Sequence, residues 1–148
     1  MNGDKIQKCG QNNPIMTLDS NTVTVAASQQ EIFNFLKDAN NLLLILPQDN
    51  ISDFKATKED CSFKVQGGIT ISLIHDGEDG LDKIYMKSGE KSPFPFRLTI
   101  KTKTVGTSTE GFIHFDGEVN MFLKMMVEKP LTNLFNYMTK KLQEHFAH

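Results

Sequence analysis

Apolar residues recur at every second position through the middle of the chain, and at three- and four-residue steps near both ends. The two periods predict two kinds of element, half-buried strands and amphipathic helices. Period two marks strands at 51–58, 61–66, 69–75, 82–88, 94–104 and 108–119. The intervals carry turn formers: Glu59-Asp60, Gly67-Gly68, the 76–80 run around Gly77, the 88–91 run around Gly89, and Val105-Gly106. Connections this short predict an antiparallel meander.

Ahead of the meander, the β-branched residues of 15–25 predict a first strand, with an irregularity at 19–21. Ser28 and Glu31 form an S-x-x-E capping box, and Ile32, Phe33, Phe35 and Leu36 follow as a helical apolar face. The polar 38–41 segment breaks that helix. Residues 42–46 then form a second short helix or turn, closed by Pro47. At the other end Leu131, Leu134, Phe135, Met138, Leu142 and Phe146 mark a helix over 131–146. Proline is costly inside a helix, so either this one starts with Pro130 in its first turn, or an earlier turn from Met121 is kinked there. Residues 1–14 are polar, with Gly3, Gly10 and Pro14, and read as a flexible tail before one domain at 15–148.

Alternation also assigns faces. Phe94, Phe96, Leu98 and Ile100 share one side of their strand, and Arg97, Thr99, Lys101 and Lys103 the other. Ile84 and Met86 oppose Lys83, Tyr85 and Lys87, and Ile69, Ile71, Leu73 and His75 lie together. Ile113, Phe115 and Val119 oppose Phe112, His114, Asp116 and Glu118. One sheet face is therefore apolar and the other charged, and the amphipathic C-terminal helix is the natural cover for the apolar one.

Composition narrows the picture further. A chain of 148 residues fits one domain. A domain of that size buries roughly 70% of its unfolded surface, enough for a core with a cavity. Sixteen basic against eighteen acidic side chains give no global pull toward nucleic acid or membrane. Eleven Phe and seven Met without Trp suit irregular cores and permissive pockets. Cys9 and Cys61, the latter read as sitting at a turn, make no disulfide framework. There is no apolar leader in residues 1–13, and the 42–46 run is far short of the ~20 residues that span a bilayer. A cytoplasmic location is the expectation, and the Asn50 sequon is read as chance.

The 23–36 stretch (VTVAASQQEIFNFL), the 42–47 segment and the long C-terminal helix together resemble the START-like (SRPBCC) superfamily over roughly residues 16–146. The resemblance is to its small bacterial members, of the polyketide cyclase-like and carbon monoxide dehydrogenase G-like kinds. It implies an α+β helix-grip fold. A curved antiparallel sheet of about seven strands, in the order β-α-α-β6-α, would pack on the long C-terminal helix. It also implies an apolar cavity between sheet and helix, where various members hold lipids, sterols, plant hormones or polyketides. The 28–47 helical pair would close one end of the sheet. Fold alone transfers no function.

Candidate cavity residues are Phe35, Leu36, Leu46, Ile71, Leu73, Met86, Phe96, Leu98, Phe115, Met126, Leu134 and Met138, each of which equally suits plain core packing. His75 ends an apolar strand face, where it could orient a ligand or act as an acid or base; a strand-end histidine satisfied by backbone or water is the simpler reading. His114, Asp116 and Glu118 have a ligand-like two-residue spacing, yet read as a solvated face. The same holds for Lys83, Lys87, Lys91, Arg97, Lys101 and Lys103, opposed only by Glu90. No P-loop, G-x-G-x-x-G, G-x-S-x-G or H-E-x-x-H occurs, and no metal or cofactor is expected. The predicted function is binding or transport of a small hydrophobic or amphipathic ligand. The alternatives are a cyclase- or hydratase-type enzyme using the same cavity, and a protein-interaction or maturation module with a filled cavity, an exposed apolar patch and an unidentified protein partner.

Overall fold

Two helical segments and a long helix are arranged around one curved antiparallel sheet, in a computed structural model that describes residues 15–65 and 68–147. The expected tail at 1–14 lies outside the described residues. The elements are β1 (Ile15–Asp19), β2 (Val23–Val25), α1 (Gln29–Leu36), a 3-10 helix (Ala39–Ile45), β3 (Ile51–Ala56), β4 (Asp60–Val65), β5 (Ile69–Asp79), β6 (Lys83–Ser88), β7 (Phe96–Val105), β8 (Ser108–Glu118) and α2 (Met121–His145). Strand order is β1-β8-β7-β6-β5-β4-β3, and β2 also pairs with β8.

The first strand is two strands because of Ser20. Its N–H donates to the Ile113 carbonyl at 2.9 Å, while its hydroxyl oxygen accepts from the Ile113 N–H at 2.8 Å. A side chain thus replaces a backbone acceptor, and the ladder to β8 survives the break. Register then runs from Ile15 opposite Glu118 to Val25 opposite Thr109.

The capping box forms as the residues require. Ser28 Oγ accepts from the Glu31 N–H at 3.1 Å, and the Ser28 N–H donates to Glu31 Oε1 at 3.0 Å. Asp38, expected only to break the helix, also caps the 3-10 helix by accepting from the Asn40 N–H at 3.0 Å. That helix ends before Pro47 and buries Ala39, Leu42 and Ile45.

Two expectations need correction, and an open alternative is decided. The 76–80 run is not a hairpin loop: β5 continues through it to Asp79, with a bulge between His75 and Glu78 and Gly77 at φ 96°. Cys61 is not at a turn but is the second residue of β4, buried and paired with Leu73. Of the two starts open for the last helix, the earlier one holds: it begins at Met121, capped by Asn120, and carries Pro130 in its interior. Lacking an N–H, Pro130 leaves the Met126 carbonyl without its intrahelical donor.

α2 buries Val127, Leu131, Leu134, Phe135, Met138, Thr139 and Leu142. It packs on β1, β2, β8 and the 3-10 helix. Where α2 meets the sheet, aromatic rings interlock: Phe115 lies 4.9 Å from Phe96 and 5.1 Å from Phe135, centroid to centroid. The buried apolar side chains form one continuous cluster.

Candidate functional site

The predicted ligand space is the contact between the inner sheet face and α2. The structure holds a void of about 30 Å³ there, at the end where α1, β2, β7, β8 and the C-terminal half of α2 converge. A water needs roughly 10–15 Å³ of such volume, so about two or three would fill it. Its wall is made by Val23 and Val25 of β2, Ile32 and Leu36 of α1, Ile45, Ile100, Ile113, and Met138 and Leu142 of α2. Thr102, Thr109 and Thr139 also line it. Their hydroxyls donate to protein carbonyls instead: Thr102 to Leu81 at 2.9 Å, Thr109 to Ala27 at 2.8 Å and Thr139 to Asn136 at 3.1 Å. Satisfied hydroxyls leave the wall suited to an apolar occupant.

Of the residues singled out from the sequence, Leu36 and Met138 line this void. Leu46, Ile71, Leu73, Met86, Phe96, Leu98, Phe115 and Leu134 are buried in side-chain packing. Leu134 also reaches a separate open groove shared with Pro47, Pro130 and Tyr137. Phe35 lies half-buried against the end of α2, with ring centroids 4.5 Å from His145 and 5.7 Å from Phe146. Met126 is 55% exposed and faces solvent, because it sits on the side of α2 opposite the buried stripe.

His75 lies opposite Met86, beside the β5 bulge and outside the void lining. Glu78 Oε2 lies 2.7 Å from its Nε2, without the alignment of a hydrogen bond, and Glu59 Oε1 lies 3.8 Å from its Nδ1. The bulge sets this geometry by turning Glu78 back toward the ring.

The void residues not singled out from the sequence are Val23, Val25, Ile32, Ile45, Ile100, Ile113 and Leu142, together with Thr102, Thr109, Gly111, Phe112 and Thr139. Periodicity had placed Ile32, Ile100, Ile113 and Leu142 on apolar faces, but Phe112 on the opposite one. It could not show that the two helix ends leave space at this level of the sheet.

Outward-facing chemistry is paired. His114 Nδ1 lies 2.6 Å from Asp19 Oδ1 and its Nε2 3.1 Å from Asp116 Oδ2, while Thr17 donates to Asp116 at 2.9 Å. Among the described residues no cluster of His, Cys, Asp or Glu is placed to hold a metal ion. The basic stretch is less bare than its sequence suggests. Asp76 meets Arg97 at 2.9 Å and Lys87 at 3.9 Å, and Glu110 meets Lys103 at 4.0 Å. Arg97 also lies over the Tyr85 ring at 5.5 Å. The Cys61 thiol is pushed up to about 12 from 9.0, first by burial and then by the charge of Asp60, so it is no nucleophile at neutral pH.

No family model and no curated protein matches the sequence. Solved structures do match. A START superfamily protein from Mycobacterium smegmatis superposes with a TM-score of 0.67 at 16% identity, covering 89% of this chain and 96% of that one. The fold is START-like. The ginseng major latex-like protein 151 of Panax ginseng shares it, with a TM-score of 0.68 at 11% identity over 90% of this chain and 99% of that one. So does the KanY protein, with a TM-score of 0.71 at 13% identity over 90% and 98%. The START-like sheet and long helix place the void where the two layers meet. Among the described residues no helix is long and apolar enough to cross a membrane.

Proposed function

We propose that this protein binds a small apolar molecule, or the apolar end of a larger one, between the sheet and the C-terminal half of α2. The observation that carries the reading is the void whose threonine hydroxyls are all committed to protein carbonyls. At about 30 Å³ the void is a seed rather than a finished site, so binding requires Leu36, Met138 and Leu142 to move apart. A ligand burying roughly 200 Å² of apolar surface would gain about 5 kcal/mol, from which the cost of that opening is subtracted. Met138 suits the task, since an unbranched thioether changes rotamer cheaply.

The test is a methyl NMR titration of the full chain with benzene and then with a medium-chain fatty acid. Saturable shifts confined to Val25, Leu36, Ile113 and Met138 are expected. No shift with either probe, together with a bare mass for protein purified from its own host, would refute the reading. The smallness of the void favours one second reading, a protein-interaction module with a filled interior, and that outcome would turn the balance toward it.

A further inference from the structure

We infer that the N-terminal half of α2 is the interface for a second copy of this chain. Four large apolar side chains stand exposed there: Met121 at 62%, Phe122 at 74%, Met125 at 77% and Met126 at 55%. The core-facing stripe of the same helix runs through Val127, Leu131, Leu134 and Met138, so these four form a second apolar face pointing away from the fold. None of them lines the void, and the inference stands apart from the ligand reading.

Two quantities say what covers this face. The first is area. Taking about 200 Å² for each fully exposed side chain, the four present roughly 500 Å². A standard interface buries about 800 Å² per partner, and homodimer interfaces are about 65% apolar, so the face matches the apolar share of one dimer half.

The second is charge. Lys129 lies on this same exposed face, two helical turns beyond Phe122, with Met125 and Met126 between them. A two-fold axis passing between Met125 and Met126 lays a second α2 antiparallel on the first. Met125 then meets Met126 of the second copy, and each Lys129 ammonium falls over the other copy's Phe122 ring. The cation that would spoil a one-sided apolar face is thereby placed on an aromatic surface, twice, by symmetry. An anionic bilayer is the poorer fit, because Lys124 and Lys129 against Glu128 leave this half of the helix a net charge of only one, short of a polybasic cluster.

Sedimentation velocity of the full chain across about 1–500 µM tests this. A reversible dimer is expected. Phe122→Glu and Met125→Glu should each weaken it roughly thirtyfold or more, with circular dichroism and melting in dilute solution unchanged. Lys129→Glu should weaken it too, whereas Val105→Glu, at an exposed strand end, should not. A monomer at every concentration would overturn the inference, as would a dimer indifferent to Met125→Glu. Phosphatidylserine vesicles that sediment a monomeric chain, through Phe122, would overturn it in favour of a membrane.

Discussion

Shortening Leu36 to alanine takes the isopropyl end of its side chain out of the wall of the void. Leu36 is 3% exposed, so the loss is nearly a full burial term. At about 0.8 kcal/mol per CH₂-sized group, transfer alone costs about 2.4 kcal/mol. A cavity term of about 24 cal/mol per Å³ adds to this if the site fails to collapse, for a total of about 3–4 kcal/mol. At roughly 2–4 °C per kcal/mol, the melting temperature should fall by roughly 6–16 °C. The space released joins the existing void and approaches the size at which an apolar cavity takes up benzene. Benzene at about a hundred times its dissociation constant should then restore about 2.7 kcal/mol. Urea denaturation of the variant with and without benzene reads both effects, and the parent chain should respond less. A cost below about 1 kcal/mol would mean that Leu36 does not carry the packing assigned to it. A full cost with no benzene rescue would mean that the space closes, and that the sheet–helix junction is not a seed for ligand entry.

Other changes test other parts of the structure. Val25→Ile adds one methyl group beside the void and should stabilise by about 0.8 kcal/mol while reducing probe binding; destabilisation above about 1 kcal/mol would show that there is no usable space. Gly117→Ala places a Cβ 2.8 Å from Phe94 Cε1 and 3.0 Å from Phe115 Cε1. The usual gain of about 0.5–1 kcal/mol for replacing a strand glycine is outweighed by about 1–3 kcal/mol of overpacking, so chemical denaturation should show a net loss that shrinks in a Phe94→Leu background. Cys61 supplies a pH signature. Its thiol stays protonated in the fold up to about 12 but ionises near 9.0 once unfolded. Above pH 9 the unfolded state therefore holds fewer protons, and the stability this group supports is lost as pH rises toward 12, by about 1.4 kcal/mol per pH unit at most. Denaturation curves from pH 8 to 11 should be shallower in pH for Cys61→Ala, and equal slopes would refute the assignment.

The meander, the capping box and the two sheet faces were legible in the sequence because each is a local property. Alternation fixes which side chains share a face, and Ser28 with Glu31 needs nothing beyond its own turn. The division of the first strand was visible as an irregularity, but its cause was not, since it depends on Ser20 meeting Ile113 from far along the chain. The start of α2 was obscured by Pro130 and by Met121, Phe122, Met125 and Met126, whose apolarity follows the wrong face for a core stripe. The void was illegible for a different reason. The apolar wall residues look like ordinary core, and the space arises from how the ends of two helices fail to fill the last rows of the sheet.

The strand order carries a consequence for how the chain becomes a sheet. β1 and β2 are first in the sequence, yet their partner is β8, with Ile15 opposite Glu118. Each of the six later strands finds a neighbour one hairpin away. The first two have none until nearly the whole chain exists. Closing so long a loop costs entropy before any contact rewards it, so the meander can assemble early while the edge at β8 waits. On a ribosome, Met16, Leu18 and Val25 would emerge before the meander and be buried after it. β2, which supplies one wall of the void, then docks late together with β1, and slow refolding should be sought in their arrival rather than in the meander.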